Sequence, residues 1–221
     1  MTAGDGPAFR AVYRVLLRAY GRQHWWPGDS PFEVMVGAVL TQNTAWGNVE
    51  RAIDNLKRAG ALSAEAIVSL PQARLAELLR PSGYFNVKAR RLRQLCAWYL
   101  ASGGVEALAA LATPRLRPAL LAVGGVGPET ADDILLYAFS RPVFVIDAYT
   151  RRLFGRLGLV DPDAPYEGLR ARFEGGLGRR AALFNEYHAL IVRHAKDVCR
   201  PQPRCAVCCL REQCPAASSG G

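Results

Sequence analysis

The sequence contains no long apolar run and no pattern of a secretory signal. No stretch approaches the ~20 consecutive apolar residues that a membrane-spanning helix needs. The N-terminal segment has no apolar stretch followed by a small-residue cleavage site. Half of the residues are nevertheless apolar, which is enough to build a sizeable core. These features predict a soluble, cytoplasmic protein that has no membrane partner.

Lysine is also scarce, although the chain is strongly basic. Lys57, Lys88 and Lys196 are the only lysines, so few amines are available for covalent chemistry. Lys and Arg together number 28 against 19 Asp and Glu, which gives a net charge of +9. A basic balance favours a polyanionic partner, and nucleic acid is the first candidate. A basic surface without a specific partner is the alternative.

Strand patterns are nearly absent, and helical periodicity dominates. The one strand-like run, Val143–Ile146, is too short to seed a sheet. Glycine and proline mark the joints between the periodic segments. The sequence therefore predicts an all-α fold. Helices are expected near 8–20, 31–40, 64–69, 72–80, 115–122, 129–139, 148–156 and 165–174, and around the apolar repeats in 49–56, 92–99 and 183–191.

The most informative segment is a glycine-rich turn between two predicted helices. Gly125, Val126 and Gly127 follow an apolar helix, and Pro128 suits the first turn of the next one. Glycine permits positive φ and a close approach of another molecule to the backbone. Exposed N–H groups before a helix N-terminus can bind a phosphate without reading a base. A tight helix–helix turn that merely needs small residues is the alternative.

These residues carry a resemblance to a known family. Gly125-Val126-Gly127-x-x-Thr130-Ala131, followed by Asp147, resembles the helix-hairpin-helix DNA glycosylases related to endonuclease III. Residues 40–44, 81–86 and 88–89 also match family segments. The resemblance implies two helical lobes with a DNA cleft between them. One is a six-helix-barrel domain, 30–141, with the helix-hairpin-helix at about 115–139, and the other is an iron–sulfur-cluster domain, 1–29 plus 142–221.

The resemblance assigns the chemistry to Asp147 and to the position of Glu129. The aspartate that matches Asp147 assists departure of the base, although an acid before a helix could simply be an N-cap. Relatives that cleave the strand carry a lysine where Glu129 stands, and its amine forms a Schiff base. A glutamate cannot do so. We therefore expect a monofunctional glycosylase in which water is the nucleophile.

A narrower resemblance points to the 3-methyladenine glycosylases of this superfamily. It rests on residues 25–27, 40–44, 127–131 and 194–196. It implies a base pocket lined by Trp25, Trp26, Trp46 and Lys196, in which tryptophan faces bind a cationic methylated purine. Gln42 would fill the space left in the duplex by the flipped nucleotide. Core burial of the tryptophans, a capping role for Gln42 and a plain surface Lys196 are the alternatives.

Five of the six cysteines lie between positions 199 and 214. Clustering in a cytosolic protein indicates metal rather than disulfides. The spacing C-x5-C-x2-C-x5-C, formed by Cys199, Cys205, Cys208 and Cys214, suits zinc or a [4Fe–4S] cluster, and chemistry alone leaves both open. The family resemblance implies [4Fe–4S]. Cys209 could compete as a ligand, whereas Cys96 falls on the apolar face of its helix.

The expected function is base excision from damaged double-stranded DNA by a nucleoid-associated monomer. Gln42, Gly125, Val126, Gly127, Thr130 and Arg151 are the predicted DNA-binding residues. Arg200, Arg204 and Arg211 would be presented to the DNA backbone by the cluster loop. An alkylated purine is the preferred substrate. An endonuclease III-type glycosylase for oxidised pyrimidines with weak or no lyase activity, and a catalytically silent DNA-damage-binding protein, are the alternatives.

Overall fold

The computed structural model describes residues 5–25 and 28–218, with only the backbone of residue 218. Its α-helices are α1 (Asp5–Tyr20), α2 (Pro31–Leu40), α3 (Trp46–Arg58), α4 (Ala64–Ser69), α5 (Gln72–Leu78), α6 (Phe85–Ala101), α7 (Gly104–Ala110), α8 (Thr113–Leu121), α9 (Pro128–Asp133), α10 (Ala148–Arg156), α11 (Tyr166–Leu177), α12 (Ala181–Asp197) and α13 (Pro215–Ser218). Short 3-10 turns occur at Arg80–Ser82, Cys205–Val207 and Arg211–Gln213, and a π-helical segment, Ile134–Ala138, continues α9. Every regular element of these described residues is helical, which confirms the all-α prediction. Within the same residues, no helix combines the length and the apolarity needed to cross a bilayer.

The chain divides into two compact units. Met1–Trp25 and Ser140–Gly221 form one, here called the terminal unit, and Trp26–Phe139 forms the other, here called the hairpin unit. Both ends of the chain thus belong to the same unit. The assignment of these units to a cluster domain and a six-helix barrel stays a prediction.

An aromatic cluster forms the centre of the terminal unit. The Phe173 ring stacks on Phe9 and on Phe144, with centroids 4.3 and 4.5 Å apart. Phe154 and Tyr187 meet these rings edge-on. These side chains come from α1, α10, α11, α12 and the extended run before α10, so burying them joins both ends of the chain. The run Val143–Ile146 is buried in this core without forming a strand.

The hairpin unit is built around α2. Each residue of α2 from Glu33 to Leu40 is buried, because α3, α6, α9 and the π-helical segment all contact this helix. Ser30 caps it: its side-chain oxygen accepts a hydrogen bond from Glu33 N at 3.1 Å, and Pro31 occupies the first turn. Helices α4 and α5 pack on α6, whose buried face includes Leu92, Leu95 and Cys96. Cys96 is a core residue, as its helical position predicted.

Candidate functional site

The glycine-rich turn connects α8 to α9, as the sequence predicted. Gly125 has φ +88°, a left-handed conformation that glycine adopts without strain. Val126 is 6% exposed and donates its N–H to Val123 O at 3.0 Å, so its side chain anchors the turn from within. Gly127 is the N-cap of α9 and is extended, with φ −89° and ψ 178°. Of these two glycines, only Gly125 has the positive φ that glycine permits.

Open space surrounds the α-carbon of Gly127. A Cβ built there would meet no heavy atom within 4 Å, and Gly127, Pro128 and Glu129 are all exposed. Packing within the hairpin unit therefore does not require glycine at this position. At this exposed N-terminus Gly127 and Glu129 carry N–H groups, whereas Pro128 has none, and N–H groups at a helix N-terminus are the ones that bind anions.

A network of side chains supports the turn from the other side. Gln42 donates through Nε2 to Gly125 O at 3.0 Å and to Thr130 Oγ1 at 2.9 Å. Arg91 donates in turn to Gln42 Oε1, and a Cβ on Gly125 would overlap the Arg91 side chain. The predicted residues Gln42, Gly125 and Thr130 thus lie together. Arg91 was not predicted, because nothing in its local sequence indicates that it reaches a turn more than thirty residues away.

A buried ion pair joins the two helices of the hairpin. Arg117 on α8 donates to both carboxylate oxygens of Asp132 on α9, at 2.7 and 3.1 Å. Asp132 is fully buried, and the bidentate geometry compensates the loss of its hydration. The pair fixes the angle at which α9 leaves the turn.

Asp147 caps α10 and also faces a histidine. Its Oδ1 accepts a hydrogen bond from Thr150 N at 2.7 Å, and its Oδ2 lies 3.4 Å from His188 Nε2. Burial of the carboxyl acts to raise the pKa of Asp147, but the charge and hydrogen bond of His188 and the Thr150 N–H outweigh it, so the pKa is lowered. Asp147 is therefore the N-cap of α10, and its contact with His188 is a second interaction that capping does not require.

His188 and Trp25 extend the surroundings of Asp147. His188 is a packed residue of α12 and is 4% exposed. The centroid of the Trp25 ring lies 6.4 Å from that of the His188 ring, at an interplanar angle of 44°. The half-buried Trp25 ring thus lies beside His188, which in turn contacts the carboxylate of Asp147. Trp26, also predicted in the base pocket, lies outside the described residues.

The remaining predicted pocket residues lie in separate units. Trp46 begins α3 in the hairpin unit, where its half-buried ring packs against α2 at Gly37. Lys196 occupies the last turn of α12 in the terminal unit and is exposed. This exposure is also what the alternative of a plain surface lysine predicts. The assignment of Trp46 and Lys196 to a base pocket stays a prediction.

The four predicted cysteine ligands line one cavity of about 60 Å³. Cys199, Cys205, Cys208 and Cys214 all face it, whereas Cys209 is exposed and does not. The volume is several times the about 10–15 Å³ that admits one water molecule. Thiolates around a single zinc ion would lie about 2.3 Å from it and leave no such space. The donor set and the cavity therefore fit a group of several atoms.

Among residues 5–25 and 28–218, no three His, Cys, Asp or Glu side chains converge closely enough to hold one metal ion.

Two arginines of α10 attach this helix to the cysteine loop. Arg152 donates to Cys199 O at 2.8 Å and to Ala195 O at 3.0 Å. Arg156 donates to Arg200 O at 2.6 Å and also contacts Cys199 Sγ at 3.4 Å. The helix capped by Asp147 is therefore bonded at its other end to the start of the loop.

Arg151, predicted to contact phosphate, is already bonded within the terminal unit. Its Nη1 donates to Pro162 O at 2.6 Å and to Ala164 O at 2.8 Å. These bonds account for the residue structurally, and its contact with DNA stays a prediction. Arg200, Arg204 and Arg211 are all exposed, and their presentation to DNA likewise stays a prediction.

Comparison with known proteins gives a consistent family. Residues 36–178 match the HhH-GPD superfamily of base excision DNA repair proteins. The Methanocaldococcus jannaschii protein named "Putative DNA repair glycosylase MJ1434" is 46% identical over 206 residues, covering 92% of this chain and 94% of that protein. Endonuclease III of Thermotoga maritima is 27% identical over 204 residues, covering 91% and 89%.

Solved structures agree. The Helicobacter pylori 3-methyladenine DNA glycosylase MagIII, bound to 1,N6-ethenoadenine, shares 31% identity with a TM-score of 0.74, covering 87% of this chain and 97% of that one. An endonuclease III–DNA complex has a TM-score of 0.84 at 22% identity, covering 99% and 98%, and supports the all-α fold. The predicted family resemblance is confirmed: the chain belongs to the HhH-GPD superfamily of base excision DNA repair proteins.

Proposed function

We propose that this protein is a DNA glycosylase that hydrolyses the N-glycosidic bond of a damaged base in double-stranded DNA. The observation that carries the proposal is the carboxylate of Asp147. It is 9% exposed, fixed by the Thr150 N–H and kept ionised beside His188. An oriented, partly desolvated carboxylate is the group that the departure of a base requires, because positive charge develops on the sugar as the bond breaks.

The proposed reaction uses water as the nucleophile. The electron pair of the C1′–N bond leaves with the base, water adds to C1′, and the proton lost by water passes to Asp147 or to solvent. Asp147 stabilises the sugar cation electrostatically and orients the water. Because the pKa of Asp147 is lowered, the carboxylate is ionised at neutral pH and is negatively charged while the C1′–N bond breaks.

Glu129 and two of the three lysines support a monofunctional reaction. Glu129 is exposed on the first turn of α9, where strand-cleaving relatives carry the Schiff-base lysine. Lys57 forms salt bridges with Asp29 and Glu33, at 2.7 and 2.9 Å. Burial lowers the pKa of Lys88 to about 8, but this lysine is 1% exposed and donates to two backbone carbonyls, at 2.6 and 2.8 Å. Both amines are committed to holding the hairpin unit together.

An alkylated purine is the proposed substrate. The 31% identity to a 3-methyladenine DNA glycosylase that binds an ethenoadenine supports it. So does the half-buried Trp25 near the Asp147–His188 pair, because an indole face attracts a cationic methylated base. Such a base leaves readily, so a strong general acid is not required.

DNA binding is proposed to centre on the turn from Gly125 to Thr130. The exposed N-terminus of α9 would bind a phosphate, while Val126 anchors the turn and Gly127 leaves room for the backbone. Contacts of this kind position the duplex without reading its sequence.

The cysteine loop is proposed to bind a [4Fe–4S] cluster. Cys199, Cys205, Cys208 and Cys214 would be its ligands, and the cavity that they line supports a multi-atom group over zinc. When bound, the cluster supplies four iron–thiolate bonds that fold residues 199–214. We assign it no part in the hydrolysis.

A base-release assay tests this proposal. Duplexes that contain 3-methyladenine, 7-methylguanine, thymine glycol or uracil are incubated with the protein, and abasic sites are then cleaved with alkali. We expect release of the methylated purines, and a loss of about 10²–10⁴-fold in single-turnover rate for Asp147→Asn. Asparagine still caps a helix, so folding is preserved. Asp163→Asn, on an exposed loop residue, is the matched control.

The other outcomes separate the alternatives. Release of thymine glycol alone would overturn the substrate class and favour the endonuclease III-type activity. Release from none of the duplexes would favour a damage-binding protein. Trapping of the protein on DNA by borohydride would contradict a monofunctional reaction, because it requires a Schiff base.

A further inference from the structure

His194 lies between the cysteine loop and α1. It is fully buried on α12. Its Nδ1 lies 2.7 Å from the hydroxyl of Tyr20, the last residue of α1. Its Nε2 lies 3.6 Å from Cys208 Sγ. One ring therefore contacts both a cysteine of the cavity and a phenol from the opposite end of the chain.

The chemistry of the cysteine fixes the tautomer of this ring. A cysteine that binds a metal is a thiolate and has no S–H to donate. A lone pair on Nε2 would repel that sulfur, so Nε2 must carry the hydrogen and donate it. Nδ1 of the neutral ring is then an acceptor, and the phenolic O–H of Tyr20 is the donor that faces it. Each hydrogen in the chain has a single consistent position.

We propose that Tyr20 and His194 form a hydrogen-bonded relay that donates to the Cys208 thiolate and raises the reduction potential of the cluster bound there. The inference rests on the [4Fe–4S] assignment of the proposed function. A hydrogen bond to a ligand sulfur stabilises the more negative, reduced state of a cluster, and such bonds are among the factors that set its potential. Tyr20 is the positioning residue, because it holds the imidazole in the donating tautomer.

The relay also has a definite boundary. Tyr20 is half-buried, with the Arg193 guanidinium 4.9 Å above its ring and the Cys209 thiol beside its hydroxyl, so the relay ends at a cation and at a cysteine that does not line the cavity. Arg156 contacts a different sulfur, that of Cys199. Substitutions in the relay therefore test the bond to Cys208 without touching this second donor.

The experiment compares Tyr20→Phe and His194→Leu with the wild-type holoprotein. Tyr13→Phe is the matched control: it makes the same change on the same helix, where the Tyr13 ring packs on Tyr187, 5.1 Å away, in the aromatic core. Iron content and absorption near ~400 nm first establish cluster loading. Voltammetry then gives the potential, and resonance Raman spectra in H₂O and D₂O report hydrogen bonds to the ligand sulfurs through the Fe–S stretching modes.

We expect both variants to shift to a more negative potential, His194→Leu more than Tyr20→Phe, and to lose part of the D₂O shift. Tyr13→Phe should match the wild type. Loaded variants with wild-type potential and an unchanged D₂O shift would overturn the relay. If His194→Leu fails to fold, Tyr20→Phe, which leaves the imidazole in place, decides the question. A wild-type protein without iron would overturn the cluster assignment itself, which is a distinguishable result.

Discussion

The hairpin turn and the cysteine loop are both irregular segments that carry candidate functional groups, but they are held in different ways. The turn from Val123 to Gly127 is fixed by hydrogen bonds from Gln42 and by close packing on Arg91. The loop from Cys199 to Cys214 encloses a cavity. Its contacts include short-range 3-10 turns, bonds from Arg152 and Arg156, and the contact of Cys208 with His194.

The difference concerns preorganisation. The hairpin is complete with the side chains that the chain supplies, so it can bind a phosphate without first rearranging. With the proposed cluster bound, the loop would depend on that group, because its removal would leave four thiols around a cavity. Loss of the bound group should therefore change the loop and spare the hairpin.

The largest expected effect is that of Cys205→Ser. The variant should lose the absorption near ~400 nm, and residues 199–214 should become sensitive to protease, since metal binding supplies the folding energy of such loops. Limited proteolysis with mass spectrometry locates the cleavages. Cys209→Ser is the control, because Cys209 is exposed and does not line the cavity. Equal loss in both variants would contradict the proposed ligand set.

Two glycine substitutions probe the hairpin. Gly125→Ala should lower the free energy of unfolding by about 1–2 kcal/mol, because φ is +88° and the new Cβ would displace Arg91. Gly127→Ala should change it by less than about 0.5 kcal/mol, since its φ is ordinary and the space is open. Urea denaturation measures both.

For DNA binding, we expect the effect in Gly127→Ala, the variant whose stability is nearly unchanged. Gly127→Ala is expected to weaken binding to an undamaged duplex although it is stably folded, because its methyl group occupies the space proposed for the phosphate. A fluorescence anisotropy titration at fixed salt measures this. Wild-type affinity in Gly127→Ala would place the phosphate elsewhere.

The smallest expected effect is a change in pH dependence. In His188→Asn the burial of Asp147 is no longer offset by the histidine, so the pKa of the carboxyl should rise. Base release requires the ionised form, so the acid limb of the kcat/KM profile should move to higher pH. His24→Asn is the matched control, because His24 is exposed and its left-handed φ of 47° suits asparagine. An unmoved acid limb would separate Asp147 from the reaction or from His188.

Local signals in the sequence predicted much of the fold. Helices α2 and α10 begin and end at the predicted residues, 31–40 and 148–156. Helix α7 was missed because Gly103 and Gly104 suggest only a joint, and a single buried residue, Leu108, gives it no periodicity. Gly103 is the N-cap of α7 and Gly104 its first residue, so the two glycines lie at the start of this helix.

The candidate site was predicted only where its residues share a motif. The cysteines and the hairpin lie within short segments, so spacing identified them. Gln42 bonds to Gly125 across 83 positions, and Tyr20 to His194 across 174. Pairs this distant arise from packing alone, so a single sequence contains no pattern that reveals them.

In the role predicted for Gln42, that of filling the space left by a flipped nucleotide, its hydrogen bonds would set an energetic threshold for entering DNA. The three bonds that its amide makes with Gly125, Thr130 and Arg91 must break before the side chain can enter a duplex. At about 0.5–1.5 kcal/mol each, they favour the withdrawn state by roughly 1.5–4.5 kcal/mol. A well-stacked base pair offers no space that would offset this cost, whereas a weakened pair does. Gln42 would therefore stay hydrogen-bonded to the hairpin until a base pair of the duplex opens.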